Sequence, residues 1–184
     1  MKRSHYLLVF LAVIFVILLG FPLLSLTGKD NGISLNEKIN LPFKVEDNKK
    51  LFLLYFGYVG CPDVCPASLN EIDNIFNKID AKYKNKVGFY FINIIQNGDA
   101  DAYAKCFNKN FKGVDLSSVE VMQFMDKLHA YKSDPLTKSG DLYHTSYLYL
   151  VKKVNKNEFV LMKMYYTHPY DAKMVINDVK KELK

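Results

Sequence analysis

The stretch that most constrains the fold is Leu51 to Leu69, LFLLYFGYVGCPDVCPASL. Its first part, Leu51 to Phe56, is continuously apolar and rich in aromatics, the pattern of a strand buried on both faces, and Gly57 and Gly60 then break the run. Pro66 suits the first helical position, and Leu69, Ile72, Phe76 and Ile79 follow at helical spacing, so a helix is expected from about Pro66 to Tyr83. Cys61 and Cys65 then lie four residues apart at a helix start, where side chains four apart share one face. Two thiols so placed can hold one metal ion or act as a redox dithiol, and the spacing leaves both open.

A lysine-rich turn leads into Val87 to Ile95, VGFYFINII, a second buried strand, and strand, helix, strand in this order make a βαβ unit. Asp99 and Asp101 precede a helix through Tyr103, Cys106 and Phe107, in which Cys106 reads as a buried thiol. Ser118 to Ala130 reads as a helix with Val121, Phe124, Met125 and Leu128 on its core side. After a loop over Ser133 to Leu142, Thr145 to Val154 and Phe159 to Tyr166 form a hairpin, and Asp171 caps a last helix with Met174, Val175, Val179 and Leu183 inward. Ile39 to Asp47 reads as an extended lead-in that meets Leu51 through a hairpin turn at Asn48 to Lys50. The expected fold is α/β, a central mixed sheet flanked by helices in a thioredoxin-like arrangement. The cysteines stand at the carboxyl end of its first core strand, where open α/β sheets place their sites.

Ahead of this domain, Tyr6 to Leu26 is an uncharged apolar run that meets the roughly 20 residues needed to cross a bilayer. It exceeds a signal-peptide core, and LLSLTGKD offers no small-x-small cleavage site, so it reads as a retained transmembrane anchor. Lys2 and Arg3 favour a cytoplasmic N-terminus and an extracytoplasmic remainder, periplasmic or on the cell surface in a bacterium. The expected organisation is residues 1–5 in the cytoplasm, 6–26 across the membrane, 27–38 as a polar linker and 39–184 as the domain. The 25 Lys and Arg against 19 Asp and Glu give +6. These lysines are scattered among acids, which argues against nucleic acid and for a solvated basic surface, an acidic partner or anionic lipid.

Three cysteines, one of them distant, do not make a disulfide framework, so the close pair asks for its own chemistry. Of the four histidines, His5 falls on the cytoplasmic side, His129 ends a helix and His168 stands beside Pro169 in a loop; all three read as ordinary surface residues. His144 differs, because it immediately precedes the third core strand in LYHTSYLYLV, in a sheet-end loop like the one that carries the cysteines. Two thiolates and one imidazole form a soft, nitrogen-containing set that suits copper, with zinc as the alternative.

FGYVGCPDVCPASL followed downstream by LYHTSYLYLV resembles the SCO/SenC family of copper-binding, thioredoxin-fold assembly factors for cytochrome c oxidase, over roughly Phe43 to Lys184. The resemblance implies that Cys61, Cys65 and His144 bind copper, as Cu(I), Cu(II) or both, and that Asp63 shapes the ligand loop. It implies as partners the copper-accepting subunit of the oxidase and other copper or thiol-redox proteins, and a metallochaperone more than an enzyme. This sequence departs from the family pattern twice: S-x-D-P-x-x-D-T becomes NIIQNGDADAY, with Ile95 in place of its aspartate, and Tyr143 stands where an aspartate commonly precedes the histidine. Two other readings stay open. One is an extracytoplasmic thiol-disulfide oxidoreductase using Cys61 and Cys65, although Pro62, Asp63 and Val64 separate them where the usual redox motif has two residues. The other is a copper or redox sensor.

Overall fold

The computed structural model describes residues 9–15, 31–133 and 142–184. Along the chain run β1 (Gly32–Ile39), β2 (Leu51–Gly57), α1 (Val64–Asn77), α2 (Ala81–Lys84), β3 (Val87–Asn93), α3 (Ala100–Lys105), β4 (Lys112–Asp115), α4 (Ser118–Lys127), β5 (Leu148–Lys153), β6 (Phe159–Tyr165) and α5 (Ala172–Glu182). The strands form one sheet in the order β1-β6-β5-β2-β3-β4. β2 runs parallel to β3 and β3 to β4, whereas β5 is antiparallel to β2, β6 to β5 and β1 to β6. This is the mixed, helix-flanked sheet expected from the sequence.

All seven residues of β2 are buried, because the strand lies inside the sheet and both of its faces are covered. Its side chains alternate between two apolar layers. On one face Phe56 meets Phe124 of α4 edge-on at 5.5 Å and Tyr149 of β5 at 5.8 Å. On the other, Tyr55 stacks toward Phe91 at 6.4 Å, and Phe111 bridges Phe76 of α1 and Phe89 of β3 at 5.5 and 4.1 Å. The cysteines and α1 belong to this second layer.

Three expectations need correction. Ile39 onward does not form a hairpin with β2; β1 begins at Gly32, inside the stretch read as the 27–38 linker, and pairs with β6, Gly32 opposite Tyr165 and Ile39 opposite Phe159. Its sequence GISLNEKI gives little apolar signal because an edge strand is held by its backbone ladder while its side chains face water. β4, with the sequence KGVD, is held in the same way beside β3 and carries no strand signature. The helix expected from Pro66 to Tyr83 begins earlier, at Val64, and divides into α1 and α2 where Asp80 turns extended, so that Ile79 and Tyr83 both point into the core.

Most of the expected Tyr6–Leu26 anchor lies outside the described residues. Residues 9–15 are helical, and no helix among the described residues is long and apolar enough to cross a membrane. Asn31–Lys184 forms one compact unit separate from the N-terminal residues.

Candidate metal centre

β2 ends at Gly57, and the chain must turn there to enter α1. Gly57 is required by close approach: a Cβ would stand 3.0 Å from Cys65 Sγ and 2.7 Å from the Phe91 ring. Gly60 takes φ +83°, a conformation that costs a glycine little, and delivers Cys61 to the mouth of the helix. Asp63, exposed at the N-cap of α1, makes no side-chain cap; the Cys65 N–H points instead at Cys61 Sγ, 3.4 Å away. One sulfur therefore accepts a first-turn amide at the positive end of the α1 dipole, and the other belongs to the same turn.

The third group arrives from a different loop. Residues 131–133 and 143–145 pair antiparallel: Lys132 bridges His144, the Thr145 N–H donates to the Tyr131 carbonyl at 2.9 Å, and the Ser133 N–H donates to the Tyr143 carbonyl at 2.8 Å. Lys132 Nζ ties this clip to the end of β3 by donating to the Ile94 carbonyl at 2.9 Å. His144 Nδ1 lies 3.2 Å from its neighbour's carbonyl, Thr145 O, and Nε2 lies 3.7 Å from Cys65 Sγ. A carbonyl can only accept, so the network places the ring proton on Nδ1 and turns the Nε2 lone pair toward the sulfurs. The Tyr58 ring meets the imidazole edge-on at 5.9 Å. Ligand atoms of Cys61, Cys65 and His144 all lie within 4.8 Å of one another.

The electrostatics suit neutral donors awaiting a cation. Burial pushes the Cys65 thiol up to about 12, helped by its hydrogen bond with Cys61, and burial likewise pushes the Tyr58 hydroxyl up to about 12. Burial also holds His144 below the ordinary imidazole value, outweighing the Thr145 carbonyl, which acts in the opposite direction. A neutral imidazole is the ligating form, and a cation at the sulfurs would replace the thiol proton that the buried site otherwise retains. Both cysteines are free thiols.

The other candidates lie elsewhere. Cys106 is exposed at the C-cap of α3, where its thiol donates to the Ala102 carbonyl at 3.3 Å; this corrects the expectation of a buried helix thiol. The helix is too short to bury its own end. His129 Nε2 lies 3.3 Å from Glu37 Oε2 at the surface, His168 Nε2 lies 3.1 Å from the buried Glu71 Oε2, and His5 lies outside the described residues. Tyr143 is exposed, and Ile95 packs half-buried against the core.

Sequence reasoning missed the residues that fix the cysteine loop. Asn93, at the carboxyl end of β3 and 1% exposed, accepts from the Val59 N–H at 3.3 Å and donates to Asp115 Oδ1 at 2.8 Å, while Asn97 donates to the Val59 carbonyl. Asp115 Oδ2 in turn accepts from the Ala100 N–H at 3.0 Å. Both backbone groups of Val59, two residues before Cys61, are thus clamped by amides of the stretch that departs from the family pattern. The signal was an asparagine ending an otherwise apolar strand, VGFYFIN.

The family model described as SCO1/SenC matches residues 45–184. A SCO2-like protein of Rickettsia prowazekii is 30% identical over 169 residues, covering 80% of this chain and 81% of that one. Among solved structures, apo Sco1 from Thermus thermophilus matches with a TM-score of 0.64 at 22% identity, over 85% of this chain and 98% of that one, which supports the fold. Bradyrhizobium japonicum ScoI, solved with copper bound, matches with a TM-score of 0.57 at 26% identity over 73% of this chain and 87% of that one.

Proposed function

This chain belongs to the SCO1/SenC family, and from that premise we propose that it binds copper through Cys61, Cys65 and His144 and passes it to the binuclear copper site of cytochrome c oxidase, or maintains the thiols of that site. The observation that carries the reading is the orientation of His144, whose Nε2 lies 3.7 Å from Cys65 Sγ while Nδ1 is tied to a backbone carbonyl. A core or surface histidine has no need of a tautomer presented to two sulfurs. Two soft thiolates and an imidazole suit copper, and a relative of the same fold is solved with copper bound. Support for the assembly role comes from BsSco, a protein of similar fold that is a member of the Sco family of cytochrome c oxidase assembly proteins.

In this reading the ion is cargo. The protein's own part is to hold the three donors convergent, to keep His144 neutral by burial, and to give up two thiol protons as the cation enters. The site stands at a sheet end next to exposed Val64 and Tyr143, where an acceptor's thiolates can reach it. In this reading Tyr6–Leu26 anchors the chain, with residues 1–5 cytoplasmic and the domain, whose sheet begins at Gly32, extracytoplasmic.

The test loads reduced full-length protein with Cu(I) against a competing chelator. His144→Ala and Cys61→Ala should each weaken binding by at least about tenfold, the equivalent of one lost ligand at a conservative 1.4 kcal/mol. Affinity unchanged in both variants overturns the assignment. The pair within 4.8 Å also fits a thiol-disulfide oxidoreductase. Rapid reduction of a mixed disulfide by the metal-free protein, insensitive to His144→Ala, would select that reading.

A further inference from the structure

Opposite the thiols, at the end of the sheet where β2 and β3 begin, a cavity of about 340 Å³ is lined by five lysines. They come from five separate stretches: Lys49 from the turn before β2, Lys84 from α2, Lys105 from α3, Lys109 from the following connection and Lys112 from β4. A single carboxylate, Glu46, lines the same space. Lys105 is paired with Asp101, and Lys84 donates to Asn77 Oδ1 at 3.2 Å while lying over the Phe76 ring. Among the described residues the ammonium groups of Lys49, Lys109 and Lys112 form no hydrogen bond or close ion pair, although Asp101 also attracts Lys112 at longer range.

A chain that scatters its lysines among acids has here brought them together through tertiary structure. The cavity wall includes Phe76 and Phe111, which are 3% and 0% exposed, and a concave surface with five ammonium groups against one carboxylate and low-dielectric walls focuses a positive field. Glu46 and Asp101 answer part of this positive charge, and an anion in the cavity would answer the rest. We propose that this cavity binds a phosphate-bearing ligand with at least two negative charges, a phosphomonoester or a diphosphate. A lone carboxylate would leave most of the positive charge unanswered, whereas a phosphate presents several oxygens to lysines that approach as separate point charges. Asn85 and Asn110 add neutral donors at the rim, and the volume falls in the range of about 300–1,000 Å³ typical of small-molecule sites. The site is independent of the metal centre, so it stands or falls apart from the proposed function.

Full-length protein in nonionic detergent is titrated calorimetrically with inorganic pyrophosphate at low and at physiological salt. Saturable binding that weakens with salt is expected, and Lys109→Gln/Lys112→Gln should weaken it about tenfold, the loss of two partly exposed charge pairs. Lys152→Gln/Lys156→Gln, outside the cavity, should bind as the parent does. Water-soluble dibutyryl phosphatidic acid and dibutyryl phosphatidylcholine form the second arm. Binding of pyrophosphate alone assigns the site to a soluble phosphate, and binding of phosphatidic acid through the same lysines assigns it to a lipid headgroup. Failure of both to bind, or equal binding by the Lys109/Lys112 variant with native circular dichroism, overturns the proposal.

Discussion

Asn93 touches the cysteine loop and β4 with one side chain, and reaches the α3 entrance through Asp115, so its loss should be felt at a distance. Asn93→Ala leaves the Val59 N–H and the Asp115 carboxylate each short of a partner. We expect a loss of about 2 kcal/mol in the urea unfolding of the metal-free protein, in the range for an interrupted buried hydrogen-bond set. A weaker hold on Cu(I) should accompany it, because Val59 steers Cys61; unchanged affinity would confine Asn93 to a structural role. His144 supplies a second prediction. Burial lowers its pKa, so the unfolded chain takes up a proton near pH 6.5 that the folded chain still refuses. Stability from this group is therefore complete above pH 6.5 and declines as pH falls through and below that value. The urea midpoint should drop between pH 7.5 and 5.5, and His144→Gln should shrink the drop. At this scale the sequence was readable where topology decides: the cysteines and His144 sit on two sheet-end loops, and the fold brings the three together. Asn93 escaped because an asparagine at the end of a strand has many uses. Cys106 was misread because helical spacing does not say where a helix of a turn and a half ends.

Among the elements, α4 offers the cleanest separation of stability from site chemistry. Ser117 and Glu120 cap each other, the Ser117 N–H donating to Glu120 Oε2 at 2.9 Å and the Glu120 N–H donating to Ser117 Oγ at 3.3 Å. α4 holds Phe124 against Phe56 on the face away from Gly57 and the cysteines. Ser117→Ala should cost about 1 kcal/mol by chemical denaturation and leave copper affinity where it was. A change in affinity would mean the two faces are coupled through β2. β2 and β3 were legible because strands covered on both faces must be apolar throughout. β1 and β4 were not, since each is held by main-chain pairing to a neighbour that only the finished fold supplies. α1 starts before Pro66 because first-turn amides have no intrahelical acceptor, so a proline three positions in removes nothing the helix uses.

Across the molecule, thioredoxin-like class and site location follow from the order of apolar runs, but the start of the domain does not. The family match begins at residue 45, whereas the sheet begins at Gly32. A fragment of residues 31–184 should sediment as a folded monomer. One of residues 45–184 should self-associate, because removing β1 bares the hydrogen-bonding edge of β6 along Phe159–Tyr165. Equal sedimentation of the two would show that β1 is dispensable. The same strand sets a timetable during synthesis. Of the six strands of the sheet β1 leaves the ribosome first and its partner β6 last, so the nascent chain carries an unmated strand until the rest of the sheet has been made. For that whole interval β1 is open to pairing with the edge of another chain.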